Sequence, residues 1–264
     1  MDWECTADYC IKFAAPFNIP IFFSWKKSGF KGEMLRSNSP TQPNYFETPN
    51  GIFHSGGNGK PNTRLLFPQL SAKLSVRWCS AYLKIAVAQT AIINQPRFAG
   101  KRALVISGER SEESPARKHY AFFEPDRSDN RVGIKNKRHI DRCRIIHSWK
   151  EADVWETIRH HKIVVHPCYY LGYNRCSCKW CIFGNNNQMA TSFYLSPDQG
   201  KMLARYEKQF GKTIRQGIDL MTFIKQGVPY SAVFQHPLLQ LKLFHPYTRF
   251  PFLRKTGYFQ REPI

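Results

Sequence analysis

The chain has 264 residues, with 39 Lys and Arg against 19 Asp and Glu, a formal charge of +20. A hydrophobic share of 42% is enough for a sizeable core and excludes global disorder. No apolar run reaches the ~18 residues of a membrane-crossing helix. The opening Met1-Asp2-Trp3-Glu4-Cys5 is acidic and lacks the apolar stretch of a secretory signal, so a cytoplasmic location is expected, with no membrane partner. The charge points to a polyanion: nucleic acid, anionic lipid or a phosphate-rich small molecule.

Residues 5–16 read as a short helix with Thr6 as N-cap. Ile21-Phe22-Phe23-Ser24 reads as a short buried strand. Residues 26–68 are rich in Gly, Pro, Asn and Ser without a sustained period, and read as a long loop. Within them, Ser55-Gly56-Gly57-Asn58-Gly59-Lys60 lacks the Walker pattern, since His54 and Pro61 stand where Gly and Ser or Thr are needed; a flexible turn is expected. A helix is expected over 74–93, a buried strand over 103–107, and a polar helix from about Ser111. Arg144-Ile145-Ile146-His147 reads as a strand. Ser148 to Glu151 has capping-box spacing for a helix through His160, and Ile163-Val164-Val165 follows. Ser196-Pro197 opens a helix to Phe210 with Gly211 as its stop, and another covers about 216–226. Strands alternating with helices predict an α/β fold, Rossmann-like, with a mainly parallel sheet. The expected organisation is one α/β domain over 1–226 and an irregular, basic, aromatic tail over 227–264.

Two segments carry chemistry. Ser107-Gly108-Glu109-Arg110-Ser111-Glu112-Glu113-Ser114 follows a strand and opens a helix, with Arg117 close behind. Ligands in open α/β sheets sit at such strand ends, and helix N-termini offer free N–H groups to anions. Arg110 and Arg117 could clamp phosphate or sulfate. The second segment, 166–181, holds Cys168, Cys176, Cys178 and Cys181, four of the eight cysteines in the chain. Cys178-x-x-Cys181 suits a metal or an iron–sulfur cluster, and equally a thiol redox pair; the additional Cys176 and Cys168 favour metal. His166 reads as an ordinary loop histidine, and Cys79 alone as a small buried apolar residue.

Together these segments show an ordered pattern: Trp78-Cys79 to Lys84, Gly108 to Arg117, Trp149 to Trp155, and His166-Pro167 to Cys181. It resembles the phosphoadenosine-phosphosulfate reductase family of the PP-loop, or adenine-nucleotide α-hydrolase-like, superfamily. The nearest flavour is that of phage and bacterial members akin to the sulfur-transfer enzymes of DNA phosphorothioation. The resemblance covers about 2–226. It implies a nucleotide or sulfate pocket lined by Gly108, Arg110, Glu113, Ser114 and Arg117, with Asp2 near the adenosine and Arg175 as a further contact. It also implies a [4Fe–4S] cluster on Cys79, Cys178 and Cys181; Cys176 is the candidate fourth ligand with Cys168 in reserve, a choice the family motif does not fix, and zinc is the alternative metal.

The chain departs from the family in two ways. The first strand and its phosphate-cradling PP-loop are expected to be missing, to be supplied by an upstream segment or a second chain. No Cys follows Cys181, so the reductases' C-terminal catalytic Cys has no counterpart, and no catalytic residue is assigned. The implied function is action on an adenine nucleotide, ATP or phosphoadenosine phosphosulfate, by sulfur transfer or ATP α-phosphate chemistry. The alternative is a non-catalytic remnant, a metal-containing basic module that binds DNA or RNA through the 131–144 segment and the tail.

Overall fold

The computed structural model describes residues 1–235, so of the 227–264 tail only its first nine residues are placed, and 236–264 lie outside the described residues. Among the described residues, 1–88 with 166–235 form one compact unit, and 89–165 form a second.

The first unit begins with helix α1, Thr6–Ala14, close to its expected span. Thr6 is its first residue, and Cys5 takes the N-cap position without a side-chain cap. The long-loop reading of 26–68 is corrected. An antiparallel three-stranded sheet occupies much of it: β1 (Ser24–Lys26), β2 (Asn44–Thr48) and β3 (Gly51–Ser55), with helix α2 (Gly29–Met34) between the first two. Cross-strand aromatic pairs fix the register. Tyr45 opposes His54 and Phe46 opposes Phe53, with ring centroids 5.1 and 6.3 Å apart. Pro49 and Asn50 close the hairpin, and Gly51 supplies the φ of 119° that follows. The 21–24 strand shifts accordingly, to Ser24–Lys26. Gly56 and Gly57 leave β3 with positive φ, as expected of a turn rather than a phosphate loop.

A buried ion cluster ties α2 to the segment that follows. Glu33 is fully buried, and its carboxylate accepts from Arg36 Nε at 3.2 Å, Arg64 Nε at 3.0 Å and the Thr41 hydroxyl at 2.9 Å. The Arg64 guanidinium stacks on Trp78 and Tyr82, 4.7 and 4.6 Å from the ring centroids. The helix expected over 74–93 starts at Trp78: α3 (Trp78–Ser80) passes through a π-helical turn, Ala81–Ile85, into α4 (Ala86–Ile93).

In the second unit, β4 (Arg102–Ile106) pairs in parallel with β6 (His139–Cys143), and β5 (Phe123–Pro125) pairs antiparallel with β6. The short helix α5 (Pro115–Lys118) lies in the crossover from β4 to β5. The α/β class holds, with parallel pairing confined, among the described residues, to β4 and β6. β4 is an outer strand of its sheet, and it is not buried: Leu104 and Ile106 are 51% and 60% exposed. The strand expected at 144–147 lies at 139–143 instead. Its charges are neutralised pairwise, Arg142 by Asp126 and Asp141 by Arg131, so a polar sequence can pair as a strand. Residues 163–165 form no strand. In helix α6 (Glu151–His160) the cap sits two residues later than the sequence spacing suggests, with the Asp153 carboxylate accepting the Lys150 N–H at 2.7 Å.

The chain returns to the first unit through the 166–181 segment and helices α7 (Asn186–Leu195), α8 (Pro197–Phe210), α9 (Leu220–Lys225) and α10 (Ala232–Gln235). Pro197 at the first position and left-handed Gly211 at the end of α8 match the sequence reading. Ser196 does not cap α8 through its side chain; its hydroxyl accepts from Lys179 Nζ at 3.1 Å. The core here joins Phe67, Trp78, Trp180, Met189, Leu203 and Leu220. No helix of the described residues is long and apolar enough to cross a membrane.

Candidate functional site

The expected anion motif lies in the second unit, at the end of β4. Ser111–Glu113 forms one 3-10 turn, and Ser114 N-caps α5 by accepting the Arg117 N–H at 3.3 Å. Gly108 stands in the turn where a Cβ would meet the Ile146 side chain at 3.6 Å, an ordinary contact. Arg110 and Arg117 are already engaged. Arg110 Nη1 donates to Glu112 at 2.8 Å and lies 3.4 Å from the Trp149 carbonyl, and Arg117 pairs with Glu113. Glu112 also accepts the Glu151 N–H at 2.6 Å, so the motif is stitched to the start of α6. An incoming phosphate or sulfate would therefore exchange with a carboxylate at each guanidinium.

Sequence reasoning missed a deeply buried charge of this unit. The Arg144 side chain is 5% exposed, pairing with Glu109 at 2.8 Å and Glu124 at 2.6 Å and donating to the Ala121 carbonyl at 2.6 Å. Burial pushes Glu109 upward, but the hydrogen bond and charge of Arg144 outweigh it and hold the carboxyl below its ordinary value. Arg131, Arg142 and Arg144 are all paired, so much of the basic 131–144 segment is neutralised internally.

Asp2 and Arg175 belong to the first unit. The Asp2 carboxylate accepts the Trp3 N–H at 2.9 Å, and the Arg175 guanidinium lies 5.4 Å from the Phe183 ring centroid, which Arg77 also faces at 5.6 Å.

The cysteines, expected as one cluster, divide into two groups. Cys79 and Cys181 lie within electrostatic reach of Cys178, and the Cys181 N–H closes a turn on the Cys178 carbonyl at 3.1 Å. Burial raises the thiols of Cys79 and Cys178, while Lys84 opposes the rise at both. Cys176 and Cys168 turn instead to His166. The ligand atoms of His166, Cys168 and Cys176 lie within 4.8 Å of one another, the one such group of three among the described residues. A hydrogen bond between the two sulfurs raises the buried Cys168 thiol; the same bond, assisted by His166, lowers that of Cys176. Cys5, from the other end of the chain, places its sulfur 3.6 Å from His166 Nε2. No sequence signal near Cys5 or His166 marks this association, because 161 residues separate them.

Residues 67–183 match the model of the phosphoadenosine phosphosulfate reductase domain. Among curated proteins, the chain is 28% identical over 151 residues to an "uncharacterized 37.8 kDa protein in gpa 5'region" of Escherichia phage 186, covering 57% of this chain and 42% of that one. It is 35% identical over 82 residues to the adenosine 5'-phosphosulfate reductase of Anoxybacillus flavithermus, covering 31% of each chain. It is 34% identical over 77 residues to that of Bacillus mycoides, covering 29% of each. The chain thus spans less than half the length of these relatives. No solved structure matches.

Proposed function

We propose that this chain, which carries a phosphoadenosine phosphosulfate reductase domain over residues 67–183, acts on an adenine nucleotide or sulfonucleotide by sulfur transfer or α-phosphate chemistry. The observation that carries the reading is the coincidence of that match with the strand-end motif. Gly108, Arg110, Glu113, Ser114 and Arg117 all fall inside it and follow a parallel strand. Arg110 and Arg117 bind the anion after releasing Glu112 and Glu113, and stabilise charge that develops on the transferred group. Ser114 holds Arg117 in place by capping its helix turn. Asp2 and Arg175, in the first unit, are nucleotide contacts on the ground of the family resemblance alone.

Cys79, Cys178 and Cys181 fit three of the four thiolate positions of a [4Fe–4S] cluster, with Lys84 favouring the charged thiolates of Cys79 and Cys178. Such a cluster supplies charge stabilisation and sulfur handling when bound. Cys176, expected as fourth ligand, and Cys168, held in reserve, face His166 instead.

The test is calorimetry of the anaerobically purified full chain with ATP and with phosphoadenosine phosphosulfate, paired with iron and sulfide analysis. Binding of one nucleotide, weakened at least ~10-fold in Arg110→Ala, is expected from loss of a charged hydrogen bond. Equal binding by Arg110→Ala refutes the pocket. Stoichiometric zinc in colourless protein, without iron or sulfide, refutes the cluster.

A further inference from the structure

We propose that Cys5, His166, Cys168 and Cys176 form a mononuclear tetrahedral zinc site, separate from the Cys79, Cys178 and Cys181 group. Three thiolates and one imidazole are a donor set that selects zinc, and a closed set of four is the pattern of a structural site. The geometry is close to assembled. Ligands about 2.0–2.3 Å from zinc lie about 3.3–3.8 Å from each other in a tetrahedron. The Cys5 sulfur to His166 Nε2 separation, 3.6 Å, already falls in that range. The atoms of His166, Cys168 and Cys176 must draw in from within 4.8 Å. Cys5 also interacts electrostatically with both Cys168 and Cys176; its sulfur stands outside the 4.8 Å group and closes on it through His166 Nε2.

The surroundings suit a closed site. Cys5, His166 and Cys168 are buried, and Cys176 is the one exposed donor and the route of entry. Tyr169 Oη accepts the Cys176 N–H at 3.1 Å, which directs that residue toward the group. The rings of Trp3 and Tyr9 flank His166 with centroids 6.4 and 5.2 Å away. Two contacts of His166 are given up: that of the Thr6 hydroxyl, 3.3 Å from Nε2, and the bond at Nδ1. His166 Nδ1 accepts the Cys168 N–H at 3.2 Å, which puts the proton of the neutral ring on Nε2. Zinc bound through Nε2 displaces that proton; Nδ1 takes a proton and gives up this bond. Two neutral hydrogen bonds are small beside a four-ligand zinc set, so the exchange favours the metal. The thiol protons of the three cysteines leave to solvent.

The test uses the full chain, stripped of metal under anaerobic reducing conditions and titrated with cobalt(II), whose tetrahedral thiolate complexes absorb strongly in the visible. One cobalt(II) per chain, displaced by zinc, is expected. Its absorption persists in the Cys178→Ser/Cys181→Ser protein and disappears in Cys168→Ser/Cys176→Ser. Cys5→Ser and His166→Ala each weaken binding at least ~10-fold. Zinc protects Cys5, Cys168 and Cys176 from alkylation, mapped by mass spectrometry, and leaves Cys10 reactive. Cobalt absorption that follows Cys178 and Cys181 instead overturns the proposal, as does iron with sulfide held at these four residues. So does a Cys168–Cys176 disulfide that persists under the reducing conditions. If the double variant fails to fold, Cys176→Ser alone, at the exposed position, replaces it: loss of the absorption supports the site, and unchanged absorption overturns it.

Discussion

Glu33 is the lone acid in a buried set of cations, and its replacement by Gln tests how α2 is tied to the segment that follows it. Its carboxylate neutralises Arg36 and Arg64, with Arg36 Nη2 and Arg64 Nη2 at 3.1 and 2.9 Å from the same oxygen. Lys26, 6% exposed, stands nearby, and burial holds its ammonium below the ordinary value while Arg36 and Arg64 repel it further. Glu33→Gln keeps the shape and removes the charge, leaving buried cations without a counter-charge. Breaking a buried pair from one side costs about 3–5 kcal/mol. Two features soften the loss. Arg36 Nη1 still donates to the Ser39 and Asn62 carbonyls at 3.1 and 2.9 Å, and Arg64 keeps its two aromatic faces. The lower end, about 3 kcal/mol, is therefore expected, or roughly 6–12 °C in the transition of a unit of this size. Urea unfolding followed by tryptophan fluorescence reports it, since Trp78 lies under Arg64. Arg64→Gln should cost less in the Glu33→Gln background than alone. A loss below about 1 kcal/mol, or strict additivity of the two changes, refutes the account of a coupled cluster.

Four further outcomes are expected. Glu207 is 5% exposed and uses both oxygens, accepting the Ile214 and Leu220 N–H groups at 2.7 and 2.8 Å. Gln offers one acceptor, so Glu207→Gln leaves one N–H facing an amide donor and costs about 1–3 kcal/mol in urea unfolding. Burial raises the Glu207 carboxyl above its ordinary 4.5, so its titration contributes stability that is complete below that pH and lost as pH rises through the folded value. The parent's stability relative to Glu207→Gln should fall over that interval, and a flat difference across the pH series contradicts the raised carboxyl. Gly200 sits inside α8, where a Cβ would lie 2.4 Å from the Phe193 ring and 2.8 Å from Trp180. Gly200→Ala should thus destabilise by about 1–3 kcal/mol despite its better helix propensity, and a gain in melting temperature would falsify the packing argument. Glu113→Gln removes the carboxylate that competes for Arg117 and should tighten sulfate or nucleotide binding about 2–10-fold in calorimetry; weaker binding shows that Glu113 contacts the ligand itself.

The elements legible in the sequence are those whose signals are local. Pro197 and Gly211 bracket α8, and the Ala103-to-Ile106 run marks β4. The antiparallel sheet escaped because Pro49, Asn50 and Gly51 look like loop composition, while what makes them a hairpin is the pairing of Phe46 with Phe53 across it. β6 escaped because Asp141 and Arg142 look like solvent residues until Arg131 and Asp126 are placed beside them. The 108–117 motif was legible as a strand end, but its carboxylates were not legible as partners of its own arginines. The cysteines show the limit most plainly. Cys176 and Cys178 are neighbours in sequence and part company in space. The Tyr169 hydroxyl holds one toward His166, and a turn commits the other to Cys181. Spacing along a chain records which ligands can share a metal, not which loops bring them together.

Residues 1–5 lie against the 166–181 segment. The Met1 carbonyl accepts the Lys179 N–H at 3.0 Å, the Trp3 indole donates to the Ser177 carbonyl at 2.8 Å, and Glu4 pairs with Lys179 at 3.0 Å. These residues leave the ribosome long before their partners. At roughly 5–20 residues per second, some 9–35 s separate the two segments during synthesis. Residues 89–165 are contiguous and emerge in that interval, able to close their own contacts. Until the 166–181 segment arrives, Trp3 lacks its ring partners His166 and Tyr173. A chaperone or a stalled ribosome acting in that window would meet the protein with Trp3 and its neighbours still exposed.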